Sequence, residues 1–370
     1  MARQLESRGW WVLALGAVGI WIAVDRARWL GDDPAQAVRV EAARTMARGI
    51  EVLREERIRR AGPIDARNDP NRTALIGKAY TDLTTTLGDL EAKRTSTNPN
   101  LAGLVAELLQ QAGARPGDPV AVACSGSFPA LNLAVFAAVQ ALELQPTIIS
   151  SVGASSFGAN EPGWTWLDLE QVLAERGVLR HRSDWVALGG IVDEGGGLDG
   201  TGLLEGAAAI RRSGRPVLEE GGRKSLVADV RRRLELLGAG ERRPRVFVNV
   251  GGGLTSLGGV SEGAMFPPGL IRRALAPPDP RDGVIARMLE AGIPVVHLLD
   301  LRRLARAHGL PWDPMPLPAV PSGTVMRPRG LGRWAAGVGL VALGALLLMA
   351  SRCWQKRPRP EEIASIRIHG

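Results

Sequence analysis

The residues best suited to chemistry gather where short apolar runs stop and small polar residues begin. The run Pro119–Cys124 leads into Ser125, Gly126 and Ser127, and Pro129 then opens a helix. Small residues let the backbone approach a ligand, and a helix start offers free N–H groups and its positive dipole end. Ser125, Gly126 and Ser127 thus either receive a carboxylate or phosphate, or form a plain turn in which Ser127 caps the helix. Ser125 is also a candidate nucleophile, although ACSGS departs from the G-x-S-x-G elbow. Its base would be His297, oriented by Asp193 or Asp300. A lone histidine between Val296 and Leu298 is also an ordinary core residue.

Asp193 and Glu194 are adjacent carboxylates in a Gly-rich loop, suited to acid and base work or to Mg²⁺, or simply to a solvated turn. Asn249, Gly251 and Gly252 end another apolar run with an amide and bare backbone. Ser155, Ser156 and Asn160 end a third. Trp164 and Trp166 come next, either as a lid or as helix packing. The Thr-rich stretch Thr81–Asn100 carries Thr84, Thr85, Thr86, Lys93 and Arg94. It reads either as a ligand loop presenting hydroxyls and cations or as a polar loop before a helix. Dinucleotide and phosphate-loop motifs are missing, so no cofactor is expected. The four His and two Cys show no ligand spacing, so no metal is expected either.

These residues need a scaffold, and its pattern is regular. Strands are expected at Pro119–Cys124, Pro146–Val152, Trp185–Leu188, Arg215–Leu218, Arg245–Val250 and Ile293–Leu299. Helices are expected over Asn100–Gln111, in Ser125–Leu144, and over Thr165–Glu175, Leu203–Arg212, Arg223–Leu237, Gly283–Ala291 and Asp300–His308. Wholly apolar strands alternating with helices predict an α/β domain with a mainly parallel sheet and helices on both faces. The Gly-rich loops then fall at the carboxyl ends of strands, where such sheets bind ligands.

The ends differ from the middle. Residues 9–24 and 334–351 are uncharged and apolar, close to the length of a membrane span. Six of the ten Trp lie in or beside them, as in the aromatic belts of membrane proteins. A short tail (1–8), a stalk or amphipathic helix (25–62), an α/β domain (63–310), a Pro-rich linker (311–333) and a basic tail (352–370) complete the expected layout. This predicts a two-pass protein of the cell (inner) membrane, its domain extracytoplasmic. A cleaved leader is the competing reading of 9–24, which Val24-Asp25-Arg26 fits poorly as a cleavage site. The net charge is +8, and only four of the 46 basic residues are lysine. That is a composition bias, without the aromatic-studded basic stripe of a nucleic-acid binder, so no nucleic-acid partner is expected.

Three segments resemble a family. TTTLGDLEAKRTSTNP (Thr84–Pro99), ACSGSFPALN (Ala123–Asn132) and IISSVGASSFGAN (Ile148–Asn160) look like the poly-γ-glutamate system protein of bacterial capsule-type loci. The resemblance runs from about Pro63 to His308. It implies a membrane component of polymer synthesis or export whose partners are poly-γ-glutamate or glutamyl groups and other components of that complex. It carries no catalytic residues. A hydrolase or transferase acting on the polymer, or a non-catalytic scaffold, are the alternatives.

Overall fold

The computed structural model describes residues 15–23, 33–190, 193–218, 225–238, 243–258, 266–273, 283–327, 337–345 and 347–348. They fall into two units, one made of residues 1–36 and 327–370 and the other of Ala37–Met326.

In the first unit, helix α1 (15–23) and the helix 337–345 leave apolar side chains such as Leu15, Trp21, Leu340 and Val341 exposed. Among the described residues no helix is long and apolar enough to cross a membrane. The rest of the two expected spans (9–14, 24, 334–336, 346 and 349–351) lies outside the described residues, as does the tail 352–370.

The second unit is built on a six-stranded sheet. Its strands are β2 (Pro119–Ser125), β3 (Gln145–Ser151), β7 (Trp185–Ala187), β10 (Val246–Val250), β11 (Gly269–Ile271) and β12 (Val295–Leu298), in the order β11-β12-β10-β2-β3-β7. All neighbours are parallel except β11, an antiparallel edge strand that the sequence pattern missed. Alternation along β2 serves both faces. Val120, Val122 and Cys124 pack with helices α2 (Pro34–Ala61), α4 (Asn100–Gln111), α5 (Pro129–Ala141) and α6 (Trp166–Glu175). Ala121 and Ala123 pack with α8 (Leu226–Leu236) and α10 (Val284–Glu290). Helices therefore cover both faces, which is why these strands read as unbroken apolar runs.

The strand order positions the crevice. The chain builds outward from β2 through β3 to β7, then returns to β10 on the other side of β2 and continues to β12. The direction reverses between β2 and β10. Doubly wound sheets bind ligands in the crevice at that reversal, beyond the carboxyl ends of the strands.

Several expectations need correction. From Ala37 onward, α2 is no free stalk. It buries Ala42, Met46, Ile50 and Leu53, and Gly49 lets it approach Leu133 so closely that a Cβ would lie 3.0 Å from that side chain. Small residues make its narrow apolar stripe sufficient. The segment 63–100 is not a bare loop: it forms β1 (Thr84–Thr86) and α3 (Leu90–Ser96) and buries Leu83 and Lys93. Two of its hydroxyls are absorbed locally, Ser96 Oγ donating to Lys93 O at 2.6 Å and Thr97 Oγ1 to Arg94 O at 2.7 Å. The Pro-rich stretch 311–326 is extended but packed on the unit. Asn71 Nδ2 donates to Pro314 O at 2.9 Å, and Val325 and Met326 are buried. Arg215–Leu218, read as a strand, contributes only a bridge from Val217 to Val186.

Candidate functional site

A cavity of about 700 Å³ opens at the reversal point. Its floor is the carboxyl ends of the strands: Ser125 from β2, Ser151 from β3, and Asn249 and Val250 from β10. Its walls are the loops beyond those ends, with Ser127, Ser155, Asp193, Gly252 and Asp300. Thr85 through Lys93 close one side.

Lys93 is the most unusual group here. Its side chain runs from α3 into the cavity wall and is only 2% exposed. Nζ donates to Ser155 Oγ at 2.8 Å and to the carbonyl of Ser127, and stands 3.5 Å from the ring centre of Phe128. Among the described residues no carboxylate lies within ion-pair distance of it. Burial lowers its pKa to about 7, with Asp89 opposing only through space. Desolvation and the missing counter-ion favour the neutral amine, against the attraction that the Phe128 ring face offers a cation.

Ser125 Oγ is buried and has no hydrogen-bond partner among the described residues. Gly251, at a φ of 90°, faces it so closely that a Cβ would lie against that oxygen. Among the described residues no base bonds to Ser125 Oγ. His297 does not line the cavity: it is buried in β12, its Nδ1 3.1 Å from Asn249 Nδ2, and burial lowers its pKa to about 4. Asn249 also donates to Gly251 O at 2.8 Å, which shapes the loop after β10.

Asp193 does reach the cavity, but as half of an ion pair. Arg233 from α8 grips it through Nε (2.6 Å) and Nη2 (2.7 Å), and Nη2 also donates to Ser151 Oγ at 3.1 Å. Glu194 lies in the short strand β9 (Glu194–Gly196) paired with Gly189 and does not line the cavity.

The other candidates divide cleanly. Thr85, Thr86, Ser127, Ser155 and Gly252 line the cavity. Ser127 does not cap α5; its Oγ accepts from Ser155 N at 3.0 Å and so ties two cavity loops together. Gly126 points away from the cavity, where a Cβ would meet the carbonyl of Val152. Thr84 and Asn160 are structural: Asn160 Nδ2 donates to Thr84 Oγ1 at 2.9 Å and to Lys78 O at 2.8 Å. Ser156 is buried, its N–H bonded to Thr86 O at 2.9 Å. Arg94 turns outward to Arg67 O, Asn68 O and Asp313. Trp164 and Trp166 are buried packing residues rather than a lid, Trp166 meeting Phe136 edge-on at 5.4 Å.

Behind the floor runs a buried polar chain that the sequence pattern did not mark. Glu170 Oε2 accepts from Ser183 Oγ at 2.7 Å, and Ser183 Oγ lies 2.7 Å from Ser150 Oγ. Burial raises Glu170 to about 7 and pushes the thiol of Cys124 up as well. A glutamate inside an otherwise amphipathic helix gives no sign that it faces inward.

Comparison with family models, with curated proteins and with solved structures gave no match.

Proposed function

We propose that this chain is a membrane-anchored component of a poly-γ-glutamate synthesis or export system, and that its cavity holds a γ-glutamyl stretch of the polymer. The observation that carries the ligand reading is the lining of the cavity. Lys93, Arg233 and Arg302 share the wall with Asp89, Asp193 and Asp300, with hydroxyls and bare backbone, and with apolar side chains such as Leu87, Phe128, Leu299 and Trp312. A mixed wall of this kind suits a chain of methylenes and amides with spaced carboxylates better than a compact polyanion such as phosphate. The pathway reading rests on the resemblance of three segments. All three supply cavity residues: Thr85 and Lys93, then Ser125 and Ser127, then Ser151 and Ser155. The membrane reading rests on the apolar ends. Removing either end alone should leave the protein in the membrane fraction, and recovery of either truncation as fully soluble protein refutes two anchors.

The binding test uses the purified full chain, a short γ-linked oligoglutamate and calorimetry. Gly252→Leu is the informative variant. A Cβ at Gly252 meets nothing closer than 3.5 Å, so the leucine fits the fold while filling the cavity. Affinity should fall at least about tenfold, or roughly 1.4 kcal/mol. Ser125→Ala removes a buried hydroxyl with no partner among the described residues. Its Oγ is closed off from the cavity, so this variant should keep both the stability and the affinity of the parent. Equal affinity in the parent and Gly252→Leu removes the cavity as the binding site. No binding by the parent leaves the scaffold role.

A further inference from the structure

We propose that Ser155 and Lys93 form a nucleophile–base pair that cleaves or transfers the γ-amide bond of the bound chain. The substrate class rests on the function proposed above; the pair itself stands on its own geometry. Ser155 Oγ lies 2.8 Å from Lys93 Nζ, both residues line the cavity, and both are almost fully buried. Three further features suit this role. Nζ is anchored by the Ser127 carbonyl, which leaves its lone pair free to face Ser155 when the amine is neutral. The face of Phe128 shields it from water, and no carboxylate among the described residues pairs with it. Ser155 N is held by Ser127 Oγ, so the loop bearing the nucleophile is fixed to the loop that anchors the base. Gly88 lies directly over the pair. A Cβ there would collide with the backbone carbonyl of Ser156 and come within 3.1 Å of Ser155 Oγ and 3.2 Å of Lys93 Cε, so glycine lets the turn lie close to the pair.

The chemistry balances with water as the second reactant. Lys93 Nζ takes the hydroxyl proton as Ser155 Oγ bonds to the amide carbon. The tetrahedral adduct collapses, the C–N bond breaks, and Lys93 returns the proton to the departing amine. The Ser155 ester is then attacked by water, which gives a proton to Lys93. The ester C–O bond breaks, Lys93 re-protonates Ser155, and a carboxylic acid leaves. An amine in place of water makes the second half a transfer.

A fluorophosphonate probe tests the pair without any polymer. The full chain should take up one phosphonyl group, located by mass spectrometry on Ser155. Ser155→Ala should abolish uptake. Lys93→Arg keeps a cation but has no accessible neutral form, and should slow uptake about a hundredfold, the typical share of a general base. Melting curves show that each variant is folded. Should Lys93→Arg unfold, Ser127→Ala, which frees the Ser155 loop while sparing the base, should slow labelling several-fold. Labelling of another serine, no labelling of folded protein, or an unchanged rate in folded Lys93→Arg overturns the pair. The substrate is separated by incubation with γ-linked oligoglutamate. Labelling without shortening or transfer keeps the pair and removes the substrate class. Binding of the oligomer without labelling keeps the binding site and removes the pair.

Discussion

Asp193 reads in the sequence as half of a reactive carboxylate pair, whereas the structure makes it the counter-ion of Arg233, and mutagenesis separates the two. The Arg233–Asp193 pair is two-pronged, with bonds of 2.6 and 2.7 Å, and the side chains are only 4% and 7% exposed. Both side chains line the cavity but expose little to its water. Arg233→Met strands the carboxylate, and Asp193→Leu strands the guanidinium. Breaking a buried pair from one side costs about 3–5 kcal/mol, whereas replacing both partners by apolar groups is often near neutral. Each single variant should therefore lose about 3–5 kcal/mol, and the double variant much less than the sum. For a unit of this size, that corresponds to a fall of roughly 6–20 °C in Tm for each single variant. Urea unfolding tracked by tryptophan fluorescence, over the four proteins of the cycle, gives the coupling directly. A coupling of about 2 kcal/mol or more confirms the buried pair. Additive losses refute it. An Asp193→Leu protein as stable as the parent but inactive would return Asp193 to the chemistry.

Groups that the fold buries give two more outcomes. Gly126→Val should destabilise the domain by about 1–3 kcal/mol, because its Cβ would stand 2.4 Å from the backbone oxygen of Val152 and 3.1 Å from that of Gly153; lost ligand binding at an unchanged Tm would restore Gly126 as a contact residue. Glu170 is raised from 4.5 to about 7 by burial, so the folded state holds its proton while the unfolded chain has lost it. The stability this contributes is whole below about pH 4.5 and declines as pH rises to about 7, by about 3 kcal/mol in all. Glu170→Gln should flatten that decline in urea midpoints measured across the window, and an identical slope in both proteins would refute it.

Much of the architecture is written in local composition. Runs such as Pro119–Cys124 and Arg245–Val250 are apolar at every position because helices bury both faces of the sheet, and that alone marks them as strands of a parallel sheet. Glycines and serines after those runs mark the carboxyl ends, so the place of Ser125, Ser155, Asn249 and Gly252 on the rim beyond the strands is legible. Strand order was not legible. The reversal between β2 and β10 depends on which strands pair across more than a hundred residues, and only the tertiary structure places Asn249 beside Ala123. The same holds for the cavity's buried lysine. Lys93 sits in a polar, Thr-rich stretch that looks solvated. Its burial comes from Phe128 and from Ser155, which lies 62 positions away. Sequence determines which side chains are small, polar or apolar. Which of them lose water, and so which change their acidity or their partners, is decided by long-range packing. That is why Asp193 is a counter-ion, Thr84 and Asn160 are structural, and Lys93 is a buried amine with a lowered pKa.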